Sequence, residues 1–166
     1  EELELFLNGK TLGLKQIEKY GHGEWNVNYE KGEITAKGYI NGKLVAEDVK
    51  RTTGKAEALK LTLENDFTAN GSDLAIFTCE CTDKDGNIVP DASEYVSFSV
   101  SDPAVIVGTG SDNCDHNRVG LSERRMYMGK ISIAVKPAHN QESIMLMAKS
   151  ENCKSAVFFA QIPKSD

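Results

Sequence analysis

The chain has 166 residues, of which 40% are hydrophobic and 27% charged, and carries a formal net charge of −6. Its length fits one large domain or two small ones, and its apolar content is that of an ordinary globular protein with a buried core. A negative balance with no basic stripe argues against nucleic acid or an anionic membrane surface as partner, and no apolar run approaches the roughly 20 residues of a membrane helix.

Glu1 opens the chain without a methionine or leader, and Leu3-Glu4-Leu5-Phe6-Leu7 is already strand-like. The sequence therefore reads as a piece of a longer protein, and the lack of a targeting segment says nothing of the parent. Asn8-Gly9, between Leu5–Leu7 and Lys10–Gly13, is the strongest two-residue hairpin signal. After a loop with Gly21 and Gly23, Trp25, Val27 and Tyr29 alternate with Asn26, Asn28 and Glu30, which predicts a half-buried strand. Lys31-Gly32 turns the chain into Glu33–Ile40, and Asn41-Gly42 turns it again into Lys43–Val49. Thr52-Thr53-Gly54-Lys55 is small and polar and makes the best domain boundary.

Beyond it the pattern predicts strands near 57–64, 73–83, 94–100, 104–107, 126–136, 142–149 and 155–162. The stretch Asn70–Val100 reads as a strand, an Asp85-Gly86 turn and a second strand. Ser111–Glu123 lacks alternation and reads as a long loop, and no segment sustains a helical period. The fold class is all-β: an immunoglobulin-like β-sandwich over 55–166, preceded over 1–54 by a smaller, N-terminally truncated β-sandwich unit.

Chemistry-bearing patterns are few. Asp83 to Glu94 places side-chain oxygens at positions 1, 3, 5, 9 and 12 of a twelve-residue calcium loop, yet Ile88 stands where a glycine should turn the chain. Strands rather than helices flank it, and Pro90 removes a donor from its middle, so a hairpin turn explains the same letters with fewer assumptions. Asp112-Asn113-Cys114-Asp115-His116 combines carboxylate, thiol and imidazole, but no second ligand pair accompanies it and a solvated acidic loop is the simpler reading. Cys79 and Cys81 share a strand face with Phe77, which suits core packing better than a metal or redox pair, with Thr78, Glu80 and Thr82 facing outward. Cys114 and Cys153 could bridge, although four cysteines are not a disulfide scaffold.

No Gly-x-Ser-x-Gly elbow occurs, and Gly108-Thr109-Gly110 is followed by neither the lysine nor the helix of a phosphate loop. Arg124-Arg125 reads as a solvated strand start, Trp25, Tyr29 and Tyr39 as core aromatics rather than a sugar-stacking platform, and His22 and His139 as surface loops. No catalytic residue, cofactor or metal ligand is assigned.

The letters do carry a family likeness. Leu3 to Gly13, Trp25-x-Val27-x-Tyr29-x-x-Gly32 and Thr52-Thr53-Gly54 resemble the small β-domain that follows the catalytic barrel in bacterial β-galactosidases of glycoside hydrolase family 2. Asp73-Leu74-Ala75, Asp83 to Pro90, Phe98-Ser99-Val100, Ile106-Val107-Gly108 and Met128-Gly129-Lys130 resemble the immunoglobulin-like domain next in line. The segment Gly110 to His116 departs from the family pattern, so no loop function carries over. The resemblance implies a non-catalytic C-terminal accessory region of a bacterial glycosidase, periplasmic or secreted. Its partners would be the catalytic barrel and other domains of the parent chain, with a homo-oligomer contact through an N-terminal strand edge left bare by truncation. An adhesin repeat and a carbohydrate-binding module are the alternatives, since the fold by itself licenses no function.

Overall fold

The computed structural model describes residues 1–111 and 116–163. Among them the chain forms twelve strands and no helix, arranged as three four-stranded antiparallel sheets in two compact units, Glu1–Thr52 and Thr53–Asp166.

The first unit holds β1 (Glu2–Leu7), β2 (Lys10–Gln16), β3 (Glu33–Ile40) and β4 (Lys43–Arg51), ordered β2-β1-β3-β4. Both hairpins are made by an Asn-Gly pair in the left-handed region, Asn8 and Gly9 at φ 51° and 78° and Asn41 and Gly42 at 50° and 72°. That geometry matches the right-handed twist of the flanking strands. Register pairs Leu3, Leu5 and Leu7 with Gly38, Ala36 and Ile34, giving one apolar face. The Asn8 side chain then clamps the approach to β3: its Oδ1 accepts the Glu33 N–H at 2.8 Å and its Nδ2 donates to the Lys31 carbonyl at 3.3 Å.

Two expectations are corrected in this unit. The alternating run around Trp25 is not a strand: residues 17–32 pair with no ladder, Trp25 and Val27 are half-buried, and Tyr29 is 82% exposed. Alternation here records which residues lean inward, without the neighbouring strand that would make a ladder. Leu3–Leu7 is also not a bare edge, because β1 is paired with β2 on one side and β3 on the other. The oligomer contact expected there has no free backbone to use; the sheet's edges are β2 and β4.

The second unit holds β5 (Ala58–Leu63), β6 (Ala75–Thr82), β7 (Tyr95–Val100), β8 (Val105–Gly110), β9 (Glu123–Arg125), β10 (Lys130–Lys136), β11 (Ser143–Lys149) and β12 (Ala156–Gln161). They form sheets β5-β6-β10-β8 and β12-β11-β7-β9, whose inward residues make one core. Phe77, Cys79, Ile131, Ile133 and Val135 from the first sheet meet Val96, Ile144, Leu146 and Ala148 from the second, all at 1% exposure or less. Phe77 packs edge-on against Phe158 at 5.1 Å between ring centres. Burying side chains of this size contributes about 1.5–3 kcal/mol each, so this period-two pattern is what drives the sandwich to close.

The Asp85-Gly86 turn forms, with Asp83 N–H donating to the Asn87 carbonyl at 2.9 Å and Val89 N–H to the Cys81 carbonyl at 2.9 Å. The expected hairpin does not follow, for β6 and β7 lie in different sheets. After a single antiparallel bridge between Thr82 and Ile88 the ladder stops. Pro90 has no N–H with which to extend it, and the chain crosses to the other sheet. On the outer face of β6, Glu80 sits between the lysines directly opposite it, 2.9 Å from Lys130 Nζ and 3.8 Å from Lys60 Nζ, and is itself only 8% exposed. Each edge of this sheet is bonded at one end: Leu59 N–H donates to the Lys154 carbonyl at 2.9 Å on the β5 side, and Thr109 N–H to the Val119 carbonyl at 2.8 Å on the β8 side.

Candidate functional site

The calcium-like segment is a turn in which Asp83 and Glu94, the two ends of the pattern, are already committed. Asp83 Oδ2 accepts the Gly54 N–H at 2.8 Å, and Oδ1 accepts the N–H groups of Asp85 and Asn87 at 3.0 and 2.9 Å. The Gly54 bond foremost, with the Asn87 and Asp85 donors, holds the Asp83 carboxyl at about 2, below the usual carboxylate value. At the other end of the pattern, Glu94 Oε2 accepts the Asn152 amide at 3.1 Å. Asp83 therefore works as a peg for the turn and for residue 54 rather than as a cation ligand.

In the second candidate, Asp112, Asn113, Cys114 and Asp115 lie outside the described residues, while His116 is exposed. No group of three metal-binding side chains occurs among the described residues. His22 and His139 are exposed, as surface loops require. Arg124, expected in solvent, is 4% exposed: it lies opposite the inward-facing Val96, with Nε 3.2 Å from Thr109 Oγ1 and Nη2 donating to the Arg118 carbonyl at 3.1 Å. Its neighbour Arg125 is the solvated one and donates to the Ser93 carbonyl at 2.8 Å. The three aromatic residues of the possible sugar platform have separate surroundings. Lys15 Nζ stands 5.0 Å from the Trp25 ring, the Tyr39 hydroxyl bonds Glu4 at 3.4 Å, and Tyr29 is in solvent.

Cys79 and Cys81 are core residues with no exposed surface, and burial pushes each thiol up to about 12. A thiol held that far above neutral pH supplies almost no thiolate, the form that reacts or binds metal. Cys81 Sγ lies 3.4 Å from Cys153 Sγ, a meeting the sequence pattern did not disclose. Cys114, the expected partner of Cys153, lies outside the described residues.

The outer face of β11 and β12 is the surface that stands out. Register places Met145 opposite Phe159 and Met147 opposite Val157. Phe159 is 60% exposed, Val157 57% and Met145 42%, so three large apolar groups lie side by side in solvent. The same face becomes more polar across β7 and β9, where Ser97, Ser99, Glu123 and Arg125 follow in register, with the exposed ring of Tyr95 at its far end. A contiguous apolar patch rimmed by polar residues is the physical signature of a surface made for contact. Its sequence signal was the failure of alternation in Ile144-Met145-Leu146-Met147 and Val157-Phe158-Phe159, where both strand faces are apolar.

Comparison with known proteins bears on what that contact is. Residues 59–158 match the family model described as glycoside hydrolase family 2 C-terminal domain 5, and residues 1–46 match one described as a domain of unknown function (DUF4982). Beta-galactosidase BoGH2A of Bacteroides ovatus is 33% identical over 160 residues, covering 95% of this chain and 19% of that protein. A beta-glucuronidase of Formosa agariphila is 31% identical over 160 residues, covering 92% of this chain and 16% of its own. Among solved structures, a glycosyl hydrolase family 2 member from Bacteroides cellulosilyticus superposes with a TM-score of 0.89 at 28% identity, covering 96% of this chain and 22% of that one. The chain thus spans about one fifth of the length of the relatives it matches.

Proposed function

Because this chain belongs to glycoside hydrolase family 2 as a C-terminal domain 5 member, we propose that it is the non-catalytic accessory region of a bacterial β-galactosidase acting in carbohydrate degradation. In this reading residues 1–54 are the small β-domain that follows the catalytic barrel and 55–166 the terminal immunoglobulin-like sandwich. Its work is to pack against the remainder of the parent chain and support the domain that cleaves the sugar. The observation that carries this is the apolar outer face of Met145, Met147, Val157 and Phe159, which an adjoining domain surface would bury. Glycoside cleavage itself needs two carboxylates flanking a cleft; the few carboxylates detailed above are committed, Asp83 to a turn, Glu80 to two lysines and Glu94 to Asn152.

The galactoside is preferred on the 33% match to BoGH2A, while the 31% match to a beta-glucuronidase favours a glucuronide as the second reading. The test is to assay the full-length parent and this chain alone on nitrophenyl β-galactoside and β-glucuronide. The parent is expected to turn over the galactoside and the isolated chain neither substrate. Turnover by the isolated chain defeats the accessory role, and a parent active on the glucuronide alone replaces the galactoside.

A further inference from the structure

We propose that Cys81 and Cys153 are a disulfide-forming pair whose oxidation ties β6 to the β11–β12 connection. The two sulfurs face one another at 3.4 Å across 72 residues of sequence, and both residues are buried, at 0% and 8% exposure. Backbone bonds fix each side independently of the sulfurs. Cys81 is paired with Leu59, its N–H donates to the Gly129 carbonyl at 2.9 Å, and its carbonyl accepts from Val89. Cys153 N–H donates to Ser150 Oγ at 3.2 Å, and the next residue, Lys154, exchanges bonds with Glu57 and Leu59 on the far edge of β5. The start of β5 is therefore gripped from both sides by the two segments that carry the thiols.

The reaction needs an oxidant, and the class required is a disulfide, small-molecule or protein-borne, R–S–S–R. One cysteine thiolate attacks a sulfur of the oxidant and expels the first R–S⁻. The second cysteine attacks the mixed disulfide and expels the second, and the two thiol protons leave with the two R–S⁻ groups as R–SH. The net change oxidises Cys81 and Cys153 to one disulfide and reduces R–S–S–R to two thiols. In the folded protein burial keeps the Cys81 thiol protonated and out of reach, so the bond forms while the chain is still folding and is afterwards shielded from reductants. Cys79, equally buried, packs as a small hydrophobe.

The experiment uses the full-length parent, produced once in an oxidising compartment and once in a reducing one. Each sample is denatured in iodoacetamide without reductant, digested and mapped by mass spectrometry. The oxidised sample should yield one linked peptide pair containing Cys81 and Cys153, two hydrogens lighter than the free peptides, with Cys79 alkylated. Full alkylation of both Cys81 and Cys153, or a link from either to Cys79 or Cys114, overturns the assignment. The oxidised sample should melt on the order of 10 °C above the reduced one in wild type, and the two samples of Cys153→Ala should melt alike. A linked protein that melts no higher than its unlinked counterpart refutes the tie.

Discussion

Phe159→Ser tests the apolar face in a way that separates docking from folding. A phenylalanine presents roughly 200 Å². With 60% of Phe159 in solvent, about 120 Å² waits for a partner, worth about 3 kcal/mol at ~25 cal/mol per Å². Serine forfeits nearly all of it, so affinity between this chain and a parent truncated just before it should fall by roughly 150-fold. Calorimetry of the two pieces mixed in trans reads that change directly. The same substitution in the isolated chain should move its thermal unfolding hardly at all, because an exposed position away from caps and cores costs within about 0.5 kcal/mol. Equal affinity for wild type and variant would refute the reasoning, and so would an isolated chain destabilised as much as the complex.

Other substitutions probe the fold that holds this face. Phe77→Ala removes the fully buried ring that meets Phe158, and should cost about 4 kcal/mol, read as a lower urea midpoint with an unchanged slope. Gly129 sits at φ 72°, and a β-carbon there would lie 2.3 Å from the Val89 carbonyl oxygen. Gly129→Ala should therefore cost about 3 kcal/mol by disturbing the bonds to Cys81 and Ala92, measurable in the same titration. The Asp83 carboxyl is held below its unfolded value of 3.8, at about 2. Its contribution is fully present above the unfolded value and disappears as pH falls through the folded one. Acid unfolding of Asp83→Asn should be flatter than wild type across that window, and identical curves would remove Asp83 from the acid sensitivity.

What could be read from the sequence followed the physics of each signal. Asn8-Gly9 and Asn41-Gly42 were legible because two adjacent left-handed residues have almost no other use. The core of β6, β10 and β11 was legible because burial imposes period two on Phe77, Ile131, Ile133, Ile144 and Leu146. The Asp85-Gly86 turn was legible but the sheet its exit strand joins was not, since turn chemistry is local and sheet assignment depends on residues far along the chain. Trp25, Val27 and Tyr29 show the converse: alternation described their leaning but not the missing ladder. The burial of Arg124 in β9 escaped because an arginine at a strand start reads as solvated, and the Thr109 and Arg118 oxygens that make it tolerable come from other parts of the fold. Outward-facing Glu80 is hidden in the same way, by lysines from two neighbouring strands. The apolar face of Met145, Val157 and Phe159 was the hardest to see, because in a single strand a residue waiting for a partner is spelled like one buried in the core.

The partly bonded margins of the β5-β6-β10-β8 sheet bear on how this module can join its neighbours. With Lys154 bonded at Leu59 and Val119 at Thr109, an adjoining module meets an interrupted template there on which to lengthen the ladder. Association at this sheet is thereby steered toward side chains laid flat against side chains. The same bonds shorten the unpaired run on which the folded module could seed fibrous assembly.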